Sequence, residues 1–96
     1  MPSEFAIRTE PVCRIIVRGE VDAATAPQLE AAIPMSGSVW LDFSAVTFLD
    51  SSGLSVLVAA HVAAKERGDR LHVSGLSRGP LRVVQMTQFW DILCAE

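Results

Sequence analysis

The chain has 96 residues, of which 50% are hydrophobic and 20% charged, which is typical of one globular domain rather than a disordered segment. Its formal charge of -3 provides no basic field that would attract nucleic acid phosphates. The N-terminus lacks the basic and apolar regions of a signal peptide, and the longest chargeless stretch that could be helical, Ser51–Ala64, is shorter than a membrane span of about 20 residues. We therefore expect one domain over residues 1–96, soluble and cytoplasmic, with no nucleic acid or membrane partner.

The cysteines and histidines do not form a metal-binding pattern. Cys13 and Cys94 lie far apart, each in an apolar segment, which favours two small buried side chains over a disulfide or a metal pair. Neither a Cys-x-x-Cys nor a His-x-x-x-His pair occurs. We expect no metal and no cofactor.

The N-terminal part of the chain predicts two strands and a helix. Val12–Val17 is rich in β-branched residues and alternates in polarity, which is typical of a half-buried strand, and Phe5–Thr9 could pair with it. A turn-like break over 19–22 then precedes a helix over Ala23–Ile33. Pro27 would lie in the first turn of that helix, where its missing N–H costs little, if Asp22 to Thr25 supply the cap.

The remaining chain predicts further strands and helices in alternation. Val39–Phe43 alternates in polarity like a strand, and residues 44–49 form a connection. Leucine, valine and histidine then recur at helical spacing from Ser51 to Arg67, before Gly68 ends the helix. A third strand is predicted at Leu71–Val73 and a further helix at Leu81–Phe89, with a proline near its start.

Alternating strands and helices predict an α/β fold with parallel crossover connections. A parallel strand covered on both faces would be apolar throughout, whereas Val39–Phe43 and Leu71–Val73 alternate. We therefore expect helices on one face of the sheet and a more polar opposite face. A short apolar stretch, Ile92–Cys94, could add a last strand.

One segment, Asp50-Ser51-Ser52-Gly53, combines an acid, two hydroxyls and a glycine at a strand-to-helix transition. The first turn of a helix has free N–H groups and a partial positive charge, so a phosphoryl group on Ser51 or Ser52 would be tolerated there. The alternative is a simple helix cap, worth about 1 kcal/mol. A cap accounts for one of these residues but not for two hydroxyls beside an acid.

A second segment, Gly75–Gly79, matches the G-x-S-x-G pattern of hydrolase nucleophiles. An acid and then a histidine should follow the serine in that fold, but both histidines precede Ser77. We therefore interpret Ser77 as a cap or turn residue, and an esterase remains a minor alternative.

Three ring side chains have a structural interpretation as well as a functional one. His61 lies on the apolar stripe of its helix and fits a boundary residue better than a base. His72 belongs to the polar side of its strand. Trp40 lies opposite the core-facing residues of its strand and could be exposed to a partner, although packing under a loop or helix is the stronger expectation.

Three blocks of the sequence resemble the STAS domain of anti-sigma factor antagonists: residues 18–27, residues 41–54 and residues 68–73. The Asp-Ser-Ser-Gly segment is the most diagnostic of them, and the blocks occur in the family's order and spacing. The resemblance implies a mixed sheet of four or five strands with helices packed mainly on one face.

The resemblance also implies a partner switch. The unmodified protein would bind an anti-sigma factor, a serine kinase with a histidine-kinase-like ATP-binding fold, and so release a sigma factor. Phosphorylation of Ser51 would end this binding, and a PP2C-type phosphatase would reverse it. The implied partner-binding residues are Asp22, Thr25, Asp50, Ser51, Ser52 and Gly53.

On this resemblance the protein is a regulator of transcription in bacterial stress responses and not an enzyme. An alternative within the same family is a STAS scaffold subunit that is not phosphorylated and docks on a transporter or a lipid-trafficking ATPase.

Overall fold

The computed structural model describes residues 5–10 and 13–85. The elements in this part of the chain are β1 (Ala6–Glu10), β2 (Arg14–Val21), α1 (Ala26–Ala32), β3 (Val39–Leu49), α2 (Ser51–Glu66), β4 (Leu71–Ser74) and α3 (Arg78–Gln85). The predicted last strand at Ile92–Cys94 and the end of the predicted helix Leu81–Phe89 lie outside the described residues.

The described strands form one mixed sheet in the order β1-β2-β3-β4. The β1–β2 pair is antiparallel, and β3 is parallel to both β2 and β4. Helix α1 connects β2 to β3, and α2 connects β3 to β4, as parallel neighbours require. The expected α/β fold with a mixed sheet of four or five strands is thereby confirmed, with four strands described.

The core lies on one face of the sheet. Val39, Leu41 and Phe43 are buried, whereas Trp40 between them is 40% exposed. All three helices contribute to the same hydrophobic cluster, as the buried side chains of Leu29, Leu57 and Val84 show. The expectation of helices mainly on one face is confirmed, because the alternating polarity of β3 reflects one covered and one open side. None of the helices in the described ranges combines the length and apolar character needed to cross a membrane.

Two strands extend further than their sequences predict. Residues 19–21 were predicted as part of a turn-like break but belong to β2, and residues 44–49, predicted as a connection, belong to β3. The reason is pairing between the strands: Gly19 is opposite Val46 and Val21 is opposite Leu49. Register shifts absorb the extra residues of β3, and Gly19 has the positive φ of 95° that such an irregularity favours.

The expectation of a buried Cys13 is wrong. Cys13 is exposed and has a φ of 61°, in the turn immediately before β2 begins at Arg14. A residue in the left-handed region of a turn does not continue the alternation of the following strand, so the apolar pattern of that strand does not extend to it. Cys94 lies outside the described residues.

His61 is confirmed on the core side of α2, and at 7% exposure it is more buried than a boundary residue. Burial lowers the pKa of the imidazole below its ordinary 6.5, and the positive charge of Lys65 lowers it further. The folded protein therefore resists protonation of His61 more than the unfolded chain does.

We predict that acid destabilises the fold partly through His61. Above pH 6.5 the imidazole is neutral in both states, but below it the unfolded chain binds a proton more readily, so the free energy of unfolding falls as the pH falls. Urea denaturation at pH 7.5 and pH 5.5 should show a larger loss of stability in the wild type than in His61→Gln. Equal losses in the two proteins would contradict this role.

Candidate functional site

The candidate site lies where β2 and β3 end side by side. Val21 and Leu49, the last residues of the two strands, are register partners. The backbone N–H of Asp50 donates to the carbonyl oxygen of Val21 at 3.2 Å. Because the two strands are parallel, Asp22 and Asp50 both follow at the carboxyl edge of the sheet, where ligands and partners of α/β proteins commonly bind.

A hydrogen-bonded turn holds the carboxylate of Asp22 in place. Its Oδ1 accepts from the backbone N–H of Ala24 at 2.9 Å and of Thr25 at 3.1 Å. The Thr25 hydroxyl donates to the Glu20 carbonyl oxygen at 2.7 Å and accepts from the Asp22 N–H at 2.9 Å. These bonds turn the chain away from the sheet and define the Asp22–Thr25 loop.

A proline sets the start of α1. The helix begins at Ala26 and not at Ala23 as predicted: the Ala26 N–H donates to the Asp22 carbonyl oxygen at 2.8 Å, but Pro27 has no N–H to continue that turn as a helix. Pro27 lies in the first turn, as expected. Thr25 is the N-cap residue without a capping bond from its side chain, since its hydroxyl is engaged by Glu20 and Asp22.

Asp50 is the N-cap of α2. Its Oδ1 accepts from the N–H of Ser52 at 2.9 Å and of Gly53 at 3.3 Å, and its carbonyl oxygen accepts from the N–H of Leu54 at 3.0 Å. The predicted cap is therefore confirmed. It changes the expectation that the first turn of α2 would favour a phosphoryl group. Two of the N–H groups expected to be free for an anion already bind Asp50, so a phosphoryl group here would meet a carboxylate rather than an empty helix terminus.

Ser51 and Ser52 differ in exposure at the start of α2. Ser51 is the first residue of the helix and is exposed, whereas Ser52 is partly buried. The Ser51 carbonyl oxygen accepts from the Ser55 hydroxyl at 2.9 Å. No hydrogen bond joins the Ser51 hydroxyl to another residue within 5–10 and 13–85, so an incoming group can reach it.

Gly53 is buried and packs α2 directly against the ends of the two strands. A methyl group at this position would lie 2.5 Å from a side-chain carbon of Leu49 and 2.5 Å from one of Val21. Glycine is therefore needed here for the close approach of backbone to side chains rather than for a special φ. The contact places the first turn of α2, including Ser51, over the carboxyl edge of the sheet.

The other candidate residues lie outside this group. The Ser77 hydroxyl donates to the Val46 carbonyl oxygen at 3.2 Å, and the residue immediately precedes α3, in agreement with the turn interpretation. Within the described ranges, no three His, Cys, Asp or Glu side chains are close enough together to hold a metal ion.

Trp40 and His72 occupy the open face of the sheet. Their rings stack with centroids 4.5 Å apart, and the Trp40 indole N–H donates to the Ser74 hydroxyl at 3.1 Å. The stronger expectation, that a loop or helix covers Trp40, is therefore wrong, because the side chain is exposed. His72 lies beside it on the more polar side of β4, as predicted.

The carboxylate of Asp42, which also lies on the open face of the sheet, is held by hydrogen bonds. Asp42 accepts from the Ser44 backbone N–H at 2.9 Å and from the Arg14 guanidinium at 3.0 Å. The Ser44 hydrogen bonds, and then the Arg14 charge, lower the pKa of Asp42 below its ordinary value.

Sequence reasoning missed two exposed residues beside the site. Phe48, on β3, is 46% exposed, and its register partner on β2 is the exposed Glu20. Both fell in segments predicted to be a turn or a connection. The β-branched and aromatic run over residues 46–49 was the signal that could have identified a strand there.

Comparison with known proteins identifies the family. Residues 5–93 match the family described as "Mlab, STAS domain". The chain belongs to the STAS domain family. This agrees with the mixed sheet, the one-sided helices and the Asp-Ser-Ser-Gly helix start.

Curated relatives have related names. The chain is 36% identical to the anti-sigma-B factor antagonist of Listeria monocytogenes over 84 residues. This alignment covers 82% of this chain and 74% of that protein. It is 29% identical over 84 residues to the protein of the same name from Bacillus subtilis, covering 83% and 77% of the two chains.

Solved structures show the same fold. The unphosphorylated anti-sigma factor antagonist SpoIIAA superposes with a TM-score of 0.75 at 18% identity, over 93% of this chain and 84% of that one. An anti-sigma factor antagonist from Mycobacterium paratuberculosis gives a TM-score of 0.67 at 25% identity, over 96% and 83%.

We predict that Gly53→Ala destabilises the fold by about 1–3 kcal/mol, because the added methyl overlaps Leu49 and Val21. Gly79→Ala in α3 is the matched control. A methyl there meets nothing within 4 Å, so the change should be neutral or stabilise by up to about 1 kcal/mol. Urea denaturation of both variants measures the difference, and equal stability of the two would contradict the close packing at Gly53.

Proposed function

We propose that this STAS domain is an anti-sigma factor antagonist: it binds an anti-sigma factor and thereby releases a sigma factor for transcription. Membership of the STAS family and the names of its relatives support this function. The observation that favours a switch is local. An exposed serine begins α2 beside two carboxylates, Asp22 and Asp50, whose positions hydrogen bonds determine.

Ser51 is the proposed phosphoacceptor. The anti-sigma factor, a serine kinase with a histidine-kinase-like ATP-binding fold, transfers the γ-phosphoryl group of ATP to Ser51 Oγ. The hydroxyl proton is released and ADP leaves. A PP2C-type phosphatase hydrolyses the phosphoserine with water and restores the hydroxyl. The exposure of Ser51 supports this choice over the partly buried Ser52.

The proposed switch acts through charge. A phosphoserine adds about -1.5 to -2 charges to a surface that already contains Asp22 and Asp50. Shifting a complex from mostly formed to mostly dissociated takes about a hundredfold in affinity, or roughly 2.7 kcal/mol. Burying an unpaired anion in an interface costs about 2–5 kcal/mol, so one phosphate is enough. Because Asp50 already binds the first amides of α2, the helix end offers the phosphate little compensation.

The proposed partner-binding residues divide into two groups. Asp22, Asp50, Ser51 and Ser52 have at least part of their surface open to a partner. Thr25 and Gly53 are buried and contribute indirectly: Thr25 holds the Asp22 loop, and Gly53 brings α2 close to the sheet.

On this proposal the chain is a cytoplasmic binding protein and not an enzyme, and the kinase and phosphatase chemistry belongs to its partners. The second candidate is a STAS scaffold that docks on a transporter or a lipid-trafficking ATPase. The matching family is described as "Mlab, STAS domain", which does not mention anti-sigma factors, so the scaffold remains an alternative. Phosphorylation of Ser51 discriminates between the two, since the scaffold does not require it.

We predict that a candidate ATP-dependent anti-sigma factor kinase from the same organism adds one phosphate to the wild-type chain and none to Ser51→Ala. Intact-mass spectrometry after incubation with ATP measures both. Ser52→Ala is the matched control and should still be phosphorylated. A phosphate that persists in Ser51→Ala would refute the assignment, and an unmodified wild type would favour the scaffold.

We predict that Ser51→Asp weakens binding to the same anti-sigma factor at least tenfold, because it adds a negative charge next to Asp50. Ser51→Asn, of the same size but neutral, should bind within about threefold of the wild type. Calorimetry measures the affinities, and thermal melts should show both variants folded. Equal weakening of the two variants would indicate a steric effect instead of a charge switch.

A further inference from the structure

Phe48 is a large apolar side chain exposed beside the proposed phosphoacceptor. It precedes Leu49, the last residue of β3, and it lies on the opposite side of the strand, away from the core. Nearly half of its surface, 46%, is accessible to solvent. An aromatic ring of this kind is a common anchor in protein interfaces, because it brings a large contact area at low cost in conformational entropy.

The charges around Phe48 are mostly negative. Glu20 is its register partner on β2 and is exposed. Asp22 and Asp50 follow the two strands at the same edge, and the nearest cation along β2 is Arg18. At the ends of β2 and β3, Glu20, Asp22 and Asp50 therefore outnumber Arg18, so this edge attracts a partner that has basic side chains.

Chain geometry places Phe48 close to Ser51. Three residues span at most about 11 Å between their Cα atoms. An interface of ordinary size covers about 800 Å² on each partner, which corresponds to a disc of about 16 Å radius. A partner centred on the exposed Ser51 can therefore also cover the ring of Phe48.

Other exposed apolar side chains fit this role less well. The ring of Trp40 is stacked on His72, and its N–H is bonded to Ser74. Met35 is 91% exposed but precedes β3, at the end of that strand away from Ser51. Phe48 combines exposure with a position at the carboxyl edge of the sheet.

We propose that Phe48 is an apolar anchor for the anti-sigma factor, which presents an apolar pocket bordered by arginine or lysine side chains. This inference rests on the proposed function. The ring supplies apolar contact, while Glu20, Asp22 and Asp50 select a partner with a basic rim. The anchor operates in the unmodified protein, and a phosphate on Ser51 acts on the same interface.

The test compares Phe48→Ala with Met35→Ala in calorimetric binding to the anti-sigma factor that phosphorylates the wild type. Phe48→Ala should bind about thirtyfold more weakly, a change equivalent to about 2 kcal/mol, and Met35→Ala should bind within twofold of the wild type. In phosphorylation assays Phe48→Ala should raise the KM of the kinase for this chain and leave kcat within twofold. Thermal melts identify any variant that is not folded.

A second variant tests the polarity of the partner. Phe48→Lys places a cation at this acidic edge, which the free protein tolerates but a basic pocket rim repels, so binding should weaken at least a hundredfold. Wild-type affinity in Phe48→Ala, or in Phe48→Lys if the alanine variant does not fold, overturns the anchor. Equal weakening in Met35→Ala also overturns it. Absence of binding and phosphorylation in the wild type refutes the proposed function instead.

Discussion

The geometry of the site depends on the close contact of Gly53 with Val21 and Leu49. Because no side chain separates α2 from these residues, the first turn of the helix lies directly over the ends of β2 and β3. The hydrogen bond from the Asp50 N–H to the Val21 carbonyl oxygen joins the same two strand ends. The position of Ser51 is consequently set by the sheet and not by a flexible connection.

Around this contact, the side chains that hold the site and those that remain exposed are different residues. Thr25 and Gly53 are buried, and the carboxylates of Asp22 and Asp50 bind backbone N–H groups. Ser51 is exposed on this framework. A framework whose polar groups are already satisfied need not rearrange when Ser51 changes its charge, so the effect of a phosphate falls on the partner's affinity rather than on the fold.

The two faces of the sheet explain why sequence reasoning succeeded for most of the fold. In β3, the alternation of Val39, Leu41 and Phe43 with polar neighbours reflects one face under helices and one open to solvent, so both strand and layer arrangement could be predicted. The end of the same strand was missed, although its β-branched and aromatic residues favour a strand. Its register shifts against β2 disturb the alternation, and residues 44–49 therefore look like a connection in the sequence.

The sequence by itself determined the chemical nature of the site: an acid, two hydroxyls and a glycine at a helix start. Tertiary structure decided how those groups are used. Asp50 occupies the first amides of α2, and the extension of β2 and β3 brings Glu20 and Phe48 to the edge where Ser51 is exposed. Pairing between strands distant in sequence decides these features, and the residue pattern of one strand does not by itself show where its register against the neighbouring strand shifts.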